Sequence, residues 1–279
     1  MKSVVVSGAF DDLRLGHVRL LHEASRLGEL HLLMWSDALV EALEGTAPRF
    51  PQEEREYLLR AIRCVRRLTL VSDLDDRNGL PSMPGAAPDV WVVARDCDNP
   101  QKRDFARRKG MGYHVLAPED LLGFPDWDDE RPGGSPGSFK VVVTGCYDWL
   151  HSGHVRFFEE AAQFGDLYVI VGSDRNLRLL KGEDHPMFSQ DERLYMVRAV
   201  RHVHRAFITS GSGWMDAEPE ISDIKPEIYV VNEDGDRPEK RSFCASREIR
   251  YVVLKRLPSQ GLPLRQSTEL RGWWKGTRS

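Results

Sequence analysis

The chain contains the same pattern twice. Val4-Val5-Val6-Ser7-Gly8-Ala9-Phe10-Asp11 returns as Val141-Val142-Val143-Thr144-Gly145-Cys146-Tyr147-Asp148, and Gly16-His17-Val18-Arg19 returns as Gly153-His154-Val155-Arg156. Of the 42 residues from Ser3 to Glu44, 17 are identical to those from Lys140 to Lys181. After one inserted residue the match resumes. Glu54-Arg55 pairs with Glu192-Arg193, and Asp98 to Phe105 pairs with Asp236 to Phe243. A duplication of this kind restricts the fold to two copies of one architecture. The length of 279 residues, at roughly 150 per domain, suits two domains. The stretch from Pro125 to Phe139, rich in Pro, Gly, Ser and acid, reads as the joint. The expected domains are 1–130 and 138–279.

Each copy alternates short apolar runs with amphipathic ones. VVVTG is β-branched and ends at Gly145, as a buried parallel strand does. HVRFFEEAAQFG has helical spacing and stops at Gly165. LYVIVGS, AFIT, EIYVVN and IRYVVLKR read as further strands, and QDERLYMVRAVRHV as a helix. The class is α/β, two tandem doubly wound parallel sheets of Rossmann-like form. Ligands of such sheets sit at the carboxyl ends of the strands. The loop from Gly145 to His154 is therefore the place for chemistry.

Composition excludes several alternatives. With 39 Lys+Arg against 43 Asp+Glu, the net charge of −4 does not suit a nucleic-acid coat. The four cysteines form no CxxC pair, which argues against a zinc ribbon or a disulfide framework and for reduced thiols in a cytoplasmic protein. MKSVVVSGAFDD lacks the form of a secretory signal, and no run approaches the ~18 apolar residues of a membrane span.

In the second loop, TGCYDWLHSGHVRFF, His151 and His154 flank Gly153 at a helix start. A helix N-terminus favours anions, two imidazoles can bond phosphate oxygens, and glycine lets a backbone come close. Strand, Gly145, Asp148, the HxGH residues and helix come in that order. With Ser173-Asp174, Lys181, Glu192-Arg193 and Ser267-Thr268, this half resembles the cytidylyltransferase-like nucleotidyltransferases, whose loop pattern is G-x-F/Y-D-x-x-H-x-G-H. The resemblance implies in-line attack of an acceptor phosphate on the α-phosphorus of a nucleoside triphosphate, with pyrophosphate leaving. It implies His151, His154 and Lys181 as catalytic residues. Gly145, Cys146, Tyr147 and Gly153 belong to the nucleotide-binding loop, with no role for the Cys146 thiol in the chemistry. Asn232 and Asp234 fall where base and ribose contacts are expected, and Arg265, Ser267 and Thr268 where the β- and γ-phosphates are. Arg193 and Lys240 are candidate phosphate contacts, and Asp148 is expected to organise the loop. Mg²⁺ would be held mainly through the triphosphate, with no metal site built from protein ligands.

The first copy departs from this pattern. Arg14 stands where the second copy has His151, Glu44 stands where it has Lys181, and nothing after Val115 matches RQST. The first copy is therefore expected to be degenerate. Family members commonly pair, so the resemblance implies an intramolecular pseudo-dimer, with a homodimer as the further arrangement open to it. The tandem arrangement resembles that of ethanolamine-phosphate cytidylyltransferases, but here the fuller site is in the second copy. The expected partners are a nucleoside triphosphate and a small phosphorylated metabolite, with no nucleic acid and no membrane span. CTP is the first choice of nucleotide. ATP with a sugar or cofactor phosphate is the alternative, because VVNEDGDRPEKRSF and GLPLRQSTEL depart from the family's G-D-D-W and R-T-x-G-I-S-T-T segments. A nucleotide-binding regulatory protein without turnover is the reading from another class. Class I aminoacyl-tRNA synthetases share an HxGH-type loop, but the chain has no KMSKS-like segment and no basic excess.

Overall fold

A computed structural model describes residues 1–82, 87–127 and 137–276, without the side chains of 273–276. The chain divides into two compact units, Met1–Gly123 and Phe124–Ser279. The first holds β1 (Ser3–Gly8), α1 (Leu15–Arg26), β2 (Glu29–Trp35), α2 (Asp37–Glu44), α3 (Gln52–Ala61), β3 (Arg67–Val71), β4 (Val90–Ala94), α4 (Pro100–Arg108) and β5 (Gly112–Leu116). The second holds β6 (Lys140–Gly145), α5 (Ser152–Ala161), β7 (Asp166–Val171), α6 (Asp174–Lys181), α7 (Gln190–Arg198), β8 (Arg205–Ile208), α8 (Glu218–Ile224), β9 (Ile228–Asn232), α9 (Pro238–Ser246), β10 (Arg250–Leu254) and α10 (Ser267–Gly276).

Each unit is a five-stranded parallel sheet. The orders are β3-β2-β1-β4-β5 and β8-β7-β6-β9-β10, so the same topology occurs twice. Val141, Val142 and Val143 have no exposure, nor do Val169, Ile170 and Val171, as expected of strands covered on both faces. The parallel connections need crossovers, which the helices supply.

The switch point of the second sheet lies between β6 and β9. Their pairing is short: Val141 faces Ile228, Val142 faces Tyr229, and then the ladder ends. Beyond it the strands separate, leaving a crevice at their carboxyl ends, the usual place for a ligand in such sheets. The Thr144 hydroxyl and the Tyr229 hydroxyl bridge its floor at 2.8 Å.

Three differences from the sequence reading matter. The run IRYVVLKR does not continue as a strand to Arg256. β10 stops at Leu254, opposite Asn232, because β9 ends there and offers no further partner. The start of the proposed joint is packed: Trp127 is buried and stacks on Tyr195 of α7, with centroids 5.3 Å apart. The middle of that joint, 128–136, lies outside the described residues. The α7 helix ends at Arg198 although apolar spacing runs on to Val203, because Val200 and Val203 bond three residues back and tighten the chain. Among the described residues, no helix is long and apolar enough to cross a membrane.

Candidate active site

The loop after β6 is held from behind. Asp148 accepts backbone N–H bonds from Met187 (2.8 Å) and Phe188 (3.1 Å), so it organises the loop and ties it to the α6–α7 connection. Arg193 does the same from α7. Its guanidinium donates to the carbonyls of Cys146 (2.6 Å), Gly172 (2.7 Å) and Phe188 (3.1 Å) and to the Asp174 carboxylate (2.8 Å). It is 1% exposed and does not line the cavity described below, which corrects its reading as a phosphate contact. Tyr147 takes φ = +53°, a conformation unfavourable to a bulky residue and tolerated where the surroundings enforce it. Gly145 makes room for it, since a Cβ there would lie 2.7 Å from the tyrosine ring.

His151 caps α5. Its Nδ1 accepts from the Gly153 N–H at 3.1 Å, satisfying one of the amides that a helix start leaves open. A ring nitrogen that accepts carries no proton, so in the neutral ring the proton is on Nε2. That Nε2 is buried and has no protein partner. The His151 and His154 rings stack, 3.9 Å apart and 22° from parallel, and Tyr147 meets His154 edge-on at 5.3 Å. Burial and then the neighbouring His154 hold the His151 pKa well below the ordinary value, while burial and then Arg256 push His154 down to about 3. Both are neutral donors near neutral pH. Gly153 has a steric reason beside its backbone freedom, because a Cβ would stand 3.0 Å from His151 Cε1.

These groups border a cavity of about 360 Å³ in the crevice, within the usual range for ligand sites. Gly145, Cys146, Tyr147 and Gly153 line it from the loop, with Lys181 at the end of α6. Asn232 lines it from the end of β9 and Asp234 from just beyond, Lys240 from α9, and Ser267 and Thr268 from the first turn of α10. Ser267 is the first residue of that helix rather than its cap, since the Leu270 N–H bonds the Gln266 carbonyl. The cationic groups are Lys181, Lys240, Arg256 and Arg271, against the carboxylates Asp148 and Asp234. Asp234 is paired with Arg256 at 2.5 Å. The balance favours an anion.

Arg265 corrects a second expectation. It is buried outside this cavity, beside Pro258 and Pro263, and its carbonyl accepts from Arg256 at 3.0 Å. Arg256 takes the place expected for it, at the point where β10 has ended. Arg271, one turn into α10, was not singled out either. It donates to a His185 ring nitrogen and to the Asp184 carbonyl (2.7 Å). The spacing Ser267, Thr268, Arg271 on one helical turn was the available signal. Lys240 lines the cavity, held below its usual pKa by burial, whereas Arg241 is taken by Asp236 at 2.5 Å.

The first unit keeps the supports. Asp11 accepts from the Arg49 and Phe50 amides as Asp148 does in the second copy. Arg55 donates to the Phe50 and Ala9 carbonyls and to Asp37, matching Arg193. Arg103 pairs with Asp98, matching Arg241 with Asp236. At the loop itself, Arg14 stands in place of His151 and pairs with Asp12 at 2.8 Å.

The fold and the crevice define an α/β unit with an anion-favouring cavity at the switch point of a parallel sheet. A family model described as cytidylyltransferase-like matches residues 142–256, and the chain belongs to that family of nucleotidyltransferases. It is 34% identical over 119 residues to a FAD synthase of Aciduliprofundum boonei, covering 42% of this chain and 76% of that protein. A FAD synthase of Methanocella paludicola is 32% identical over 135 residues, covering 47% and 93%. The bifunctional protein HldE of Geobacter sulfurreducens is 43% identical over 141 residues, covering 45% of this chain and 28% of its own length. Among the described residues there is no cluster of three or more His, Cys, Asp or Glu able to hold a metal. The cavity donors are mostly cationic, which does not fit a resident divalent ion.

Proposed function

We propose that the second unit transfers a nucleotidyl group from a nucleoside triphosphate to a small phosphorylated acceptor and releases pyrophosphate. The observation that carries this is the stacked His151–His154 pair, neutral and with an unpartnered Nε2, on a cavity lined by Lys181, Lys240, Arg256 and Arg271. An acceptor phosphate oxygen attacks the α-phosphorus, and the bond from that phosphorus to the bridging oxygen of the β-phosphate breaks. Negative charge moves from the acceptor to the leaving pyrophosphate. His151 and His154 donate hydrogen bonds to the α-phosphate oxygens, where charge builds in the transition state. Lys181 neutralises the approaching phosphates. Ser267, Thr268 and the open amides of the first α10 turn hold the β- and γ-phosphates with Arg256 and Arg271. The rate comes from placement and charge neutralisation, so no nucleophilic side chain is needed. Magnesium enters as part of the triphosphate substrate.

The donor we assign is ATP. The relatives of which this chain covers three quarters or more include FAD synthases, and FAD contains an adenylyl group. CTP remains the second reading, supported by the loop pattern and the cytidylyltransferase-like family match. The first unit is assigned no turnover, because Arg14 and Glu44 replace the histidine and the lysine. The test is pyrophosphate release with each of the four triphosphates, Mg²⁺ and a panel of phosphorylated metabolites. Release with ATP and one acceptor class supports the assignment, and release with CTP alone shifts the base. Silence with every pair favours a regulatory nucleotide binder.

A further inference from the structure

The helices α2 and α6 hold the same place in the two copies, and each follows a serine cap, Ser36 and Ser173. Their exposed faces have opposite character. Ala38, Glu41 and Ala42, spaced as one stripe of α2, match Arg175, Arg178 and Leu179 on α6. The last residues, Glu44 and Lys181, continue the contrast. One face is small and acidic. The other is bulky and basic, with Leu179 69% exposed. Beside α6 stands Trp214, 66% exposed, in a loop that Asn176 pins by accepting from the Gly213 amide (2.7 Å) and donating to the Gly213 carbonyl (3.1 Å). The position that matches Trp214 is Asp76, in a loop that carries Asp73 and Asp75 as well, against Arg77. Leu74 of that loop packs on the same apolar cluster as Leu39 and Leu43 of α2.

These charges are not answered along their own helices. Exposed arginines elsewhere are: Arg26 pairs with Glu23, Arg60 with Glu56 and Arg108 with Asp104. Among the described residues, none of Arg175, Arg178, Glu41 and Glu44 is in an ion pair. Residues three apart are neighbours on a helix, so Arg175 with Arg178, and Glu41 with Glu44, set like charges side by side. The helix dipole accounts for cations in the last turn of α6. It disfavours the glutamates in the last turn of α2.

We propose that the exposed face of α6, with Trp214 beside it, docks on the exposed face of α2 in a second copy of this chain. The arginines of one face meet the glutamates of the other, which selects the partner and fixes the register. The alanines of α2 let the helices approach and leave space for Leu179 and the indole, whose burial adds apolar area. The contact joins unlike units of two copies, so it is heterologous rather than self-complementary. It is independent of the reaction assigned to the second unit.

Sedimentation velocity of the full chain at micromolar concentrations, in low and in high salt, tests the docking. The unaltered chain should associate in low salt and dissociate as salt screens the pairs. Arg178→Glu and Glu41→Arg should each weaken association about ten-fold or more, although the second change suits the α2 dipole. Mixed in equal amounts, the two variants should associate as the unaltered chain does, because each altered face then meets its complement. Trp214→Ala should weaken association with every charge in place, and far-UV circular dichroism checks that each variant is folded. A chain that stays monomeric in low salt overturns the docking. So does association that ignores the charge reversals or Trp214→Ala, or a mixture that fails to recover. A monomeric chain that binds phosphatidylglycerol vesicles through Arg178 would likewise overturn it and give the face to a lipid surface.

Discussion

Replacing Arg193 by Met separates a structural latch from a phosphate contact. The buried guanidinium satisfies three carbonyls, those of Cys146, Gly172 and Phe188, and the Asp174 carboxylate. These belong to the loop after β6, the end of β7 and the start of α7, so one side chain joins three segments beneath the site. Methionine fills much of the volume but donates nothing. A buried polar group left without its partner costs about 1–3 kcal/mol, and breaking a buried ion pair about 3–5 kcal/mol. Partial relaxation and water entry keep the losses from adding fully, so the expected destabilisation is about 3–5 kcal/mol. With a urea slope of about 1–3 kcal/mol per molar, the unfolding midpoint of the second unit should fall by roughly 1 M or more. Far-UV circular dichroism in urea measures it, and Arg55→Met should do the same to the first unit. A variant with an unchanged midpoint and a ten-fold higher triphosphate KM would refute the latch and return Arg193 to the phosphates.

Other consequences follow from the same geometry. Gly153→Ala should leave the fold near its normal stability but displace the His151 ring, 3.0 Å from the new methyl, and so lower kcat far more than it alters the unfolding midpoint. Lys181→Ala should lower kcat/KM about 100-fold with no change in the midpoint, since this exposed lysine has no part in the core. Folding holds the His154 pKa near 3, below its unfolded value near 6.5. The unfolded chain therefore binds the extra proton between those values, and the stability that neutral His154 contributes is complete above pH 6.5 and lost on acidification toward 3. His154→Gln should flatten that part of the stability–pH curve, and a curve of unchanged slope would show that His154 is not held neutral.

Much of the fold was legible because parallel strands buried on both faces must be apolar throughout. VVVTG and EIYVVN could hardly be anything else, and duplication made each strand visible twice. The HxGH loop was legible because its chemistry depends on neighbouring residues. The arginines were harder. Arg193 and Arg256 look alike as letters, and what separates them is whether backbone carbonyls surround the guanidinium, a matter of tertiary packing. Arg256 rather than Arg265 lines the cavity because β10 ends with its partner at Asn232, which no local pattern in IRYVVLKR announces. The polar helices α8 and α9 carry too few apolar residues for periodicity to reveal them. The duplication separates supports from chemistry in part: Asp148, Arg193 and Arg241 persist in the first copy as Asp11, Arg55 and Arg103, whereas His151 and Lys181 give way to Arg14 and Glu44 while His154 persists as His17.

The second unit is assigned the chemistry and the first unit none. The most direct measurement is pyrophosphate release by two matched variants, His17→Ala and His154→Ala, with ATP, Mg²⁺ and the acceptor that serves the unaltered chain. Loss of one transition-state donor predicts a fall in kcat of about 100-fold or more for His154→Ala, and His17→Ala should retain full turnover. Equal activity in both variants, or a loss confined to His17→Ala, would contradict the assignment.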